Sequence, residues 1–256
     1  MRGVRQKGAA LRGSMIRTED LTKRFGEKLA VNALDLVVEE GEFFCFLGPN
    51  GAGKTTTIKM LTGLLRPSAG RAFLAGLDIQ QEPTAAKQII GYIPDTPFLY
   101  EKLTGREFMR FVAGLYRLPE EHLNGKSEAL LELFEIRDVG DQLVEDYSHG
   151  MRQKLSFASC FLHDPRIVVV DEPWVGLDPK NIRFVKEFLK QKTREGVTVF
   201  MSTHSLSIIE NIADRIGIIH RGNLLHLGSV GDILALAKNP GSLEDVFLEL
   251  TEEKGT

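Results

Sequence analysis

The alternation of apolar and polar positions changes character several times along the chain. Across residues 16–40 short apolar runs alternate with charged residues, which predicts antiparallel strands with one wet face. A polar loop at 22–27, carrying Phe25 beside Gly26, interrupts them. Residues Phe43 to Leu47 are apolar throughout and read as a buried strand, followed by a turn from Gly48 to Gly53 and a helix over 56–65. A strand at 71–76, a short helix at 84–88 and an apolar strand at 89–93 come next, and Pro94-Asp95-Thr96-Pro97 stops that strand.

From there to about residue 165 the period becomes helical, with segments at 106–116, 120–134 and 150–162. The β-branched run 166–171 suits a strand covered on both faces. A helix at 179–194, a strand at 197–201, a short helix from Leu206 and a strand at 215–220 complete an alternating series. Gly222-Asn223 reads as a hairpin turn into 224–227, and 242–251 as a small amphipathic helix opened by Ser242, with Glu244 and Asp245 in its first turn. The simplest organisation is an α/β core interrupted by a helical insert.

The strand–turn–helix at 43–56 carries the chemistry. Gly48, Pro49, Asn50, Gly51, Ala52, Gly53, Lys54 and Thr55 match Gly-x4-Gly-Lys-Thr in full, with Thr56 next in the turn-to-helix run. Glycines let successive backbone N–H groups close around an anion, and the following helix adds the positive end of its dipole. Lys54 would reach the β- and γ-phosphates and the Thr55 hydroxyl would ligate Mg²⁺. Binding phosphate is not hydrolysis, which needs carboxylates. Asp171 and Glu172 follow the buried strand 167–170, at the strand end where ligands lie in such sheets. Asp171 would support the metal and Glu172 would orient or deprotonate the attacking water. Asp-x-Pro is also a common strand-to-turn exit, but the phosphate loop upstream favours the functional reading.

Composition narrows the classes. The 256 residues are 43% hydrophobic and 26% charged, ordinary globular values. A formal charge of −3 argues against general electrostatic binding to nucleic acid. Cys45 and Cys160 both fall in apolar runs and read as small buried hydrophobes of a reducing compartment. With no apolar run of membrane-spanning length, a cytoplasmic location is expected. Residues 1–14, with Arg2, Arg5, Lys7 and Arg12 and no apolar stretch after them, read as a disordered basic tail.

Five ordered segments carry a family resemblance: Gly48 to Thr55, Tyr147-Ser148-His149-Gly150-Met151, Ile167 to Pro173, Gly176-Leu177-Asp178-Pro179 and Ser202-Thr203-His204. In this order they resemble the ATP-binding subunits of ABC transporters, from residue 16 onward. The resemblance implies a P-loop NTPase core with a mainly parallel sheet over 15–94 and 165–240, which includes an N-terminal antiparallel β subdomain, and an inserted α-helical subdomain at 95–164. A C-terminal helix follows at 241–256.

It further implies Mg²⁺-dependent ATP hydrolysis by a head-to-tail dimer closing over two ATP molecules. Phe25 matches the aromatic that stacks on adenine, Ser148 and Gly150 match the signature that caps the γ-phosphate of the opposite subunit, Asp178 matches the loop crossing the interface, and His204 matches the switch histidine. An isolated histidine or loop phenylalanine is otherwise usually a packing residue.

Three positions depart from the family pattern. Asp95 stands where a glutamine is common and would serve Mg²⁺ directly or through water. Met151 replaces a glutamine in the signature, and Phe25 a tyrosine. The form Tyr147-Ser148-His149-Gly150-Met151 and the ending from Ser242 to Leu248 resemble the ATPases of bacterial type-2 exporters. That resemblance implies a separate membrane permease as partner, bound peripherally at the inner face of the membrane, with a second ATPase subunit. Phe98 and Tyr100 offer either a docking surface for that permease or core of the insert. Action on a nucleic-acid or protein assembly, and a partner that binds ATP without turning it over, are the alternatives.

Overall fold

Alternation within each strand decides the architecture. The structure, a computed structural model, describes residues 13–174, 177–205, 209, 211–235 and 247, with backbone alone at 122–124. It contains two sheets. β1 (Ser14–Phe25), β2 (Lys28–Glu39), β4 (Ala69–Leu74) and β5 (Leu77–Asp78) form an antiparallel sheet in the order β2-β1-β4-β5. β3 (Phe43–Leu47), β6 (Ile90–Ile93), β7 (Ile167–Asp171), β8 (Thr198–Thr203), β9 (Arg215–His220) and β10 (Asn223–Ser229) form the other, ordered β10-β9-β3-β8-β7-β6. Its strands run parallel except β10, which returns antiparallel along β9.

Because successive side chains point to opposite faces, the central strands feed two cores. Phe43, Cys45, Leu47, Val168, Val170, Val199 and Met201 face the helical side. Phe44, Phe46, Ile167, Val169 and Phe200 face the antiparallel sheet and α1 (Lys54–Leu61). Phe200 stacks on Phe44 at 5.4 Å and lies 5.5 Å from Phe46. Each such buried ring contributes about 2–3 kcal/mol.

After α2 (Pro83–Gln88), the helices α3 (Gly105–Leu115), α4 (Glu120–Leu133) and α5 (His149–Cys160) lie between β6 and β7 in sequence. Thr104 and Glu107 form a reciprocal capping box that starts α3. α6 (Pro179–Arg194) and a short α7 (Val230–Leu234) complete the described helices.

Several boundaries differ from the sequence expectation. β1 begins at Ser14, and the Gly13 carbonyl accepts a hydrogen bond from Glu40 N, so strand replaces tail there. Residues 22–25 continue β1 through register shifts, leaving Gly26-Glu27 as the turn. α1 starts at Lys54, two residues early, and ends at Leu61, where Thr62 caps it and Gly63 turns away at φ +68°. The β9–β10 turn is Arg221-Gly222, both at positive φ as a type I′ hairpin requires, and Asn223 already belongs to β10. β5 and α7 had no sequence signal. The expected helix at 242–251 and most of the one from Leu206 lie outside the described residues. Phe98 is 89% exposed, which overturns the core reading for that residue; Tyr100, half-exposed, meets Phe111 edge-to-face.

His163 links the helical side to the sheet. Its ring stacks on Tyr116 at 3.6 Å, and Nε2 lies 3.0 Å from the Ile90 carbonyl oxygen, so that nitrogen carries the proton. Burial pushes its pKa down to about 4 from the ordinary 6.5. The folded state therefore binds this proton less readily than the unfolded chain. The stability it contributes is present above pH 6.5 and is lost as pH falls toward 4. A His163→Phe variant, which keeps the stack, should flatten the fall in unfolding free energy over that window by about 2 kcal/mol. Urea unfolding at a series of pH values checks this, and parallel curves for the two proteins would contradict it.

Candidate functional site: the phosphate loop and the strand ends beside it

The turn after β3 is shaped by contacts that leave no room for side chains. A Cβ on Gly48 would stand 2.4 Å from the Ile219 carbonyl oxygen of β9, and one on Gly53 2.5 Å from that of Ala30 in β2. Gly53 also has φ +114°. It occupies the N-cap of α1 without a side-chain cap, so the first amides of the helix are free to meet an anion. Ala52 N donates to Pro49 O at 3.1 Å and closes the turn.

A cavity of about 490 Å³ opens over this loop. It is lined by Phe25, Lys28 and Ala30 on one side, by Pro49, Asn50, Gly51, Gly53, Lys54, Thr55 and Thr56 at its base, and by Asp95 and Glu172 on the other. Phe25 is half-exposed, with Lys23 Nζ 5.1 Å from its ring centre.

Lys54 is buried. Its Nζ donates to the Gly48 carbonyl at 2.7 Å and the Pro49 carbonyl at 3.3 Å, and lies 3.2 Å from Glu172 Oε1. That last contact is an ion pair without hydrogen-bond alignment, since Oε1 receives no hydrogen bond. The other oxygen, Oε2, is 2.9 Å from His204 Nδ1 and accepts from His204 N at 3.4 Å. Glu172 itself sits at φ +46°, a costly conformation for a non-glycine residue.

Asp171 is 1% exposed. Oδ1 accepts a hydrogen bond from the Ser202 hydroxyl, the Thr55 hydroxyl lies close enough to favour the charged carboxylate, and Oδ2 has no partner. Burial raises its pKa above the ordinary carboxylate range, and the charges of Asp95 and Glu172 add to the rise. A buried, unpartnered carboxylate oxygen beside a threonine hydroxyl is a donor set suited to a hard cation. Among the described residues no three His, Cys, Asp or Glu side chains form a metal cage by themselves, so any cation here needs oxygens from a ligand as well.

The structure thus brings together Phe25, the phosphate loop, Asp95, Asp171, Glu172 and His204. Ser148 and Gly150 do not line the cavity. Ser148 caps α5, its hydroxyl accepting from Met151 N at 3.3 Å, and Gly150 lies in the first turn of that helix. Asp178 caps α6 in the same way through Asn181 N at 2.8 Å. Lys28, Ala30 and Ser202 were not foreseen. Lys28 and Ala30 reach the site only through the hairpin behind Phe25, and Ser202 through its position opposite Asp171 in the β7–β8 pairing.

A glycine-lined anion loop, a lysine at its centre and two acidic residues at the end of the next strand but one define a nucleotide-binding ATPase of the phosphate-loop class. The family model described as "ABC transporter" matches residues 31–175. The chain is 39% identical over 224 residues to an uncharacterized ABC transporter ATP-binding protein, YhcH, of Bacillus subtilis, covering 86% of this chain and 71% of that protein. It is 34% identical to a probable multidrug ABC transporter ATP-binding protein, YbhF, of Escherichia coli, over 94% of this chain but 42% of that one. A solved ATP-binding subunit of an ABC transporter superposes with a TM-score of 0.87 at 32% identity, covering 92% of this chain and 99% of that one. The chain belongs to the ABC transporter family, as one of its ATP-binding subunits, which are ATPases.

Asp171 generates a stability prediction. A carboxyl whose folded pKa is raised favours the fold fully below its unfolded pKa and loses that advantage as pH rises. At pH 7 its buried charge is therefore a cost. Asp171→Asn should raise the melting temperature of the nucleotide-free protein by about 2–4 °C at pH 7. The gain should vanish as pH falls toward 4. Calorimetry across this range checks it; a destabilised variant at pH 7 would refute it.

Proposed function

We propose that this ATPase dimerises on ATP, hydrolyses it with Mg²⁺ at a site built from Lys54, Asp171 and Glu172, and drives a separate membrane permease that exports its substrate. The observation that carries the catalytic part is the placement of the Glu172 carboxylate between Lys54 and His204, 3.2 and 2.9 Å away, at the edge of the cavity over the phosphate loop.

In this reading the amides of residues 51–56 and Lys54 bind the β- and γ-phosphates, and Phe25 stacks on adenine. Glu172 orients the attacking water and accepts its proton, and His204 holds the Glu172 carboxylate and contacts the γ-phosphate. Thr55, Asp171 and Asp95 would hold Mg²⁺, which when bound neutralises charge developing on the phosphate oxygens. The unpartnered Asp171 Oδ2 supports that assignment.

Ser148 and Gly150, at the exposed N-terminus of α5, would meet the γ-phosphate held by a second copy or a related subunit. Their absence from the cavity of their own chain fits such a head-to-tail pairing. Asp178 would cross the same interface. The binding free energy released on closure does the mechanical work.

The export direction rests on the relatives. One is named a bacitracin transport ATP-binding protein, BcrA, from Bacillus licheniformis, 37% identical over 83% of this chain and 69% of its own length. Multidrug naming of YbhF points the same way, and both favour a permease over a nucleic-acid assembly. Among the described residues no helix is long and apolar enough to cross a membrane. In this reading the channel is another polypeptide, with the ATPase held at the cytoplasmic face. Phe98, exposed beside Pro97 at the exit of β6, is the contact we assign to it.

Glu172→Gln should lower Mg²⁺-dependent ATP turnover by about 100-fold or more while ATP-bound dimers accumulate, as read by phosphate release and light scattering. Unchanged turnover would remove Glu172 from the water step. Phe98→Glu should abolish transport in vesicles with the permease while ATP affinity stays within about twofold; loss of ATP binding as well would sink the docking assignment.

A further inference from the structure

The two ends of the nucleotide cavity belong to different sheets. Phe25, Lys28 and Ala30 come from the β1–β2 hairpin of the antiparallel sheet, whereas the phosphate loop follows β3 of the parallel one. Their separation must match the length of a nucleotide, and something must hold it.

The β9–β10 turn spans the gap. Gly222 N donates to the Ala52 carbonyl of the phosphate loop at 2.8 Å. Asn32 N of β2 donates to the Gly222 carbonyl at 2.9 Å. A side-chain clasp reinforces the bridge: Asn32 Nδ2 donates to Asn223 Oδ1 at 2.9 Å, and Asn223 Nδ2 donates to the Arg221 carbonyl at 3.0 Å. One backbone residue therefore touches the phosphate loop with its N–H and the base-side strand with its C=O.

Only glycine fits at that point. Gly222 has φ +79°, and a Cβ there would stand 2.8 Å from the Ala30 carbonyl oxygen. Gly53 of the phosphate loop packs on the same carbonyl, where a Cβ would come within 2.5 Å. Loop, turn and strand converge on Ala30, itself a lining residue of the cavity.

We infer that Gly222, Asn223 and Asn32 are positioning residues that set the distance between the base-stacking edge and the phosphate loop. None of the three lines the cavity. This rests on the reading of Phe25 as the adenine platform, since only a ligand engaging both ends senses the spacing. A triphosphate without a base fills the loop alone.

The test is the ratio of ATP to tripolyphosphate affinity, measured by calorimetric titration in Mg²⁺ buffer on the parent protein and on Gly222→Ala, Asn223→Ala and Asn223→Asp variants. Loss of one or two hydrogen bonds corresponds to about two- to tenfold in affinity. Gly222→Ala and Asn223→Ala should weaken ATP by about fivefold while tripolyphosphate stays within about twofold. Asn223→Asp keeps the acceptor for Asn32 Nδ2 but sets a carboxylate oxygen against the Arg221 carbonyl in place of the donated hydrogen bond, so its ratio should fall between those of the parent and of Asn223→Ala. Should Gly222→Ala fail to fold by circular dichroism, Asn223→Ala carries the test alone. An unchanged ratio in Asn223→Ala, or ATP and tripolyphosphate weakening in parallel, would overturn the proposal. A parent protein that binds tripolyphosphate as tightly as ATP would overturn the platform reading instead, and with it the basis for the inference.

Discussion

The parallel pairing of β3, β8 and β7 is the constraint from which the site follows. Leu47 pairs with Thr203 and Asp171 with Ser202, so three strands end side by side within one residue of each other. That register delivers the phosphate loop, the Asp171–Glu172 step and His204 to one edge without any of them being near in sequence. A slip of one residue in β7 would turn Asp171 to the opposite face and send a valine toward Ser202. Two unbroken apolar cores, one on each face, make such a slip costly, and precision at the edge is inherited from burial in the middle.

The charge arrangement at that edge is unusual for a protein interior. Lys54 and Glu172 are both largely buried, while Asp171 lies deeper with one oxygen unsatisfied. Buried charges of this kind favour no fold by themselves. On the proposed reading, a nucleotide and its counter-ion would complete what the protein leaves open. The strained backbone at Glu172 belongs to the same trade, because the conformation costs stability yet aims the carboxylate at Lys54 and His204 together.

Much of this was legible in the sequence because it is local. The glycine–lysine–threonine turn, the apolar strand before it and the acidic pair after a β-branched run each occupy adjacent residues whose chemistry states their purpose. What escaped was long-range or conformational. Ser202 gives no sign of being Asp171's partner until two strands are paired. The helix begins at Lys54 and not Thr56, because Gly53 serves as a cap with no side chain to announce it. Residues 22–25 look like a charged loop but extend β1 through bulges, which place charged side chains at an exposed sheet end. The hairpin turn moved by one residue because Arg221 accepts the left-handed conformation normally left to glycine or asparagine.

The contacts of Lys54 bear on time and not on energy alone. The ammonium of Lys54 is held by the Gly48 and Pro49 carbonyls of the very turn it serves. On the proposed reading, an arriving triphosphate would compete with these carbonyls for the lysine, so capture would be an encounter followed by an exchange of partners. Association would then level off at high nucleotide concentration, at the rate with which the lysine lets go. Departure meets the mirror image of that step, since the carbonyls stand ready to reclaim the charge as the phosphates leave.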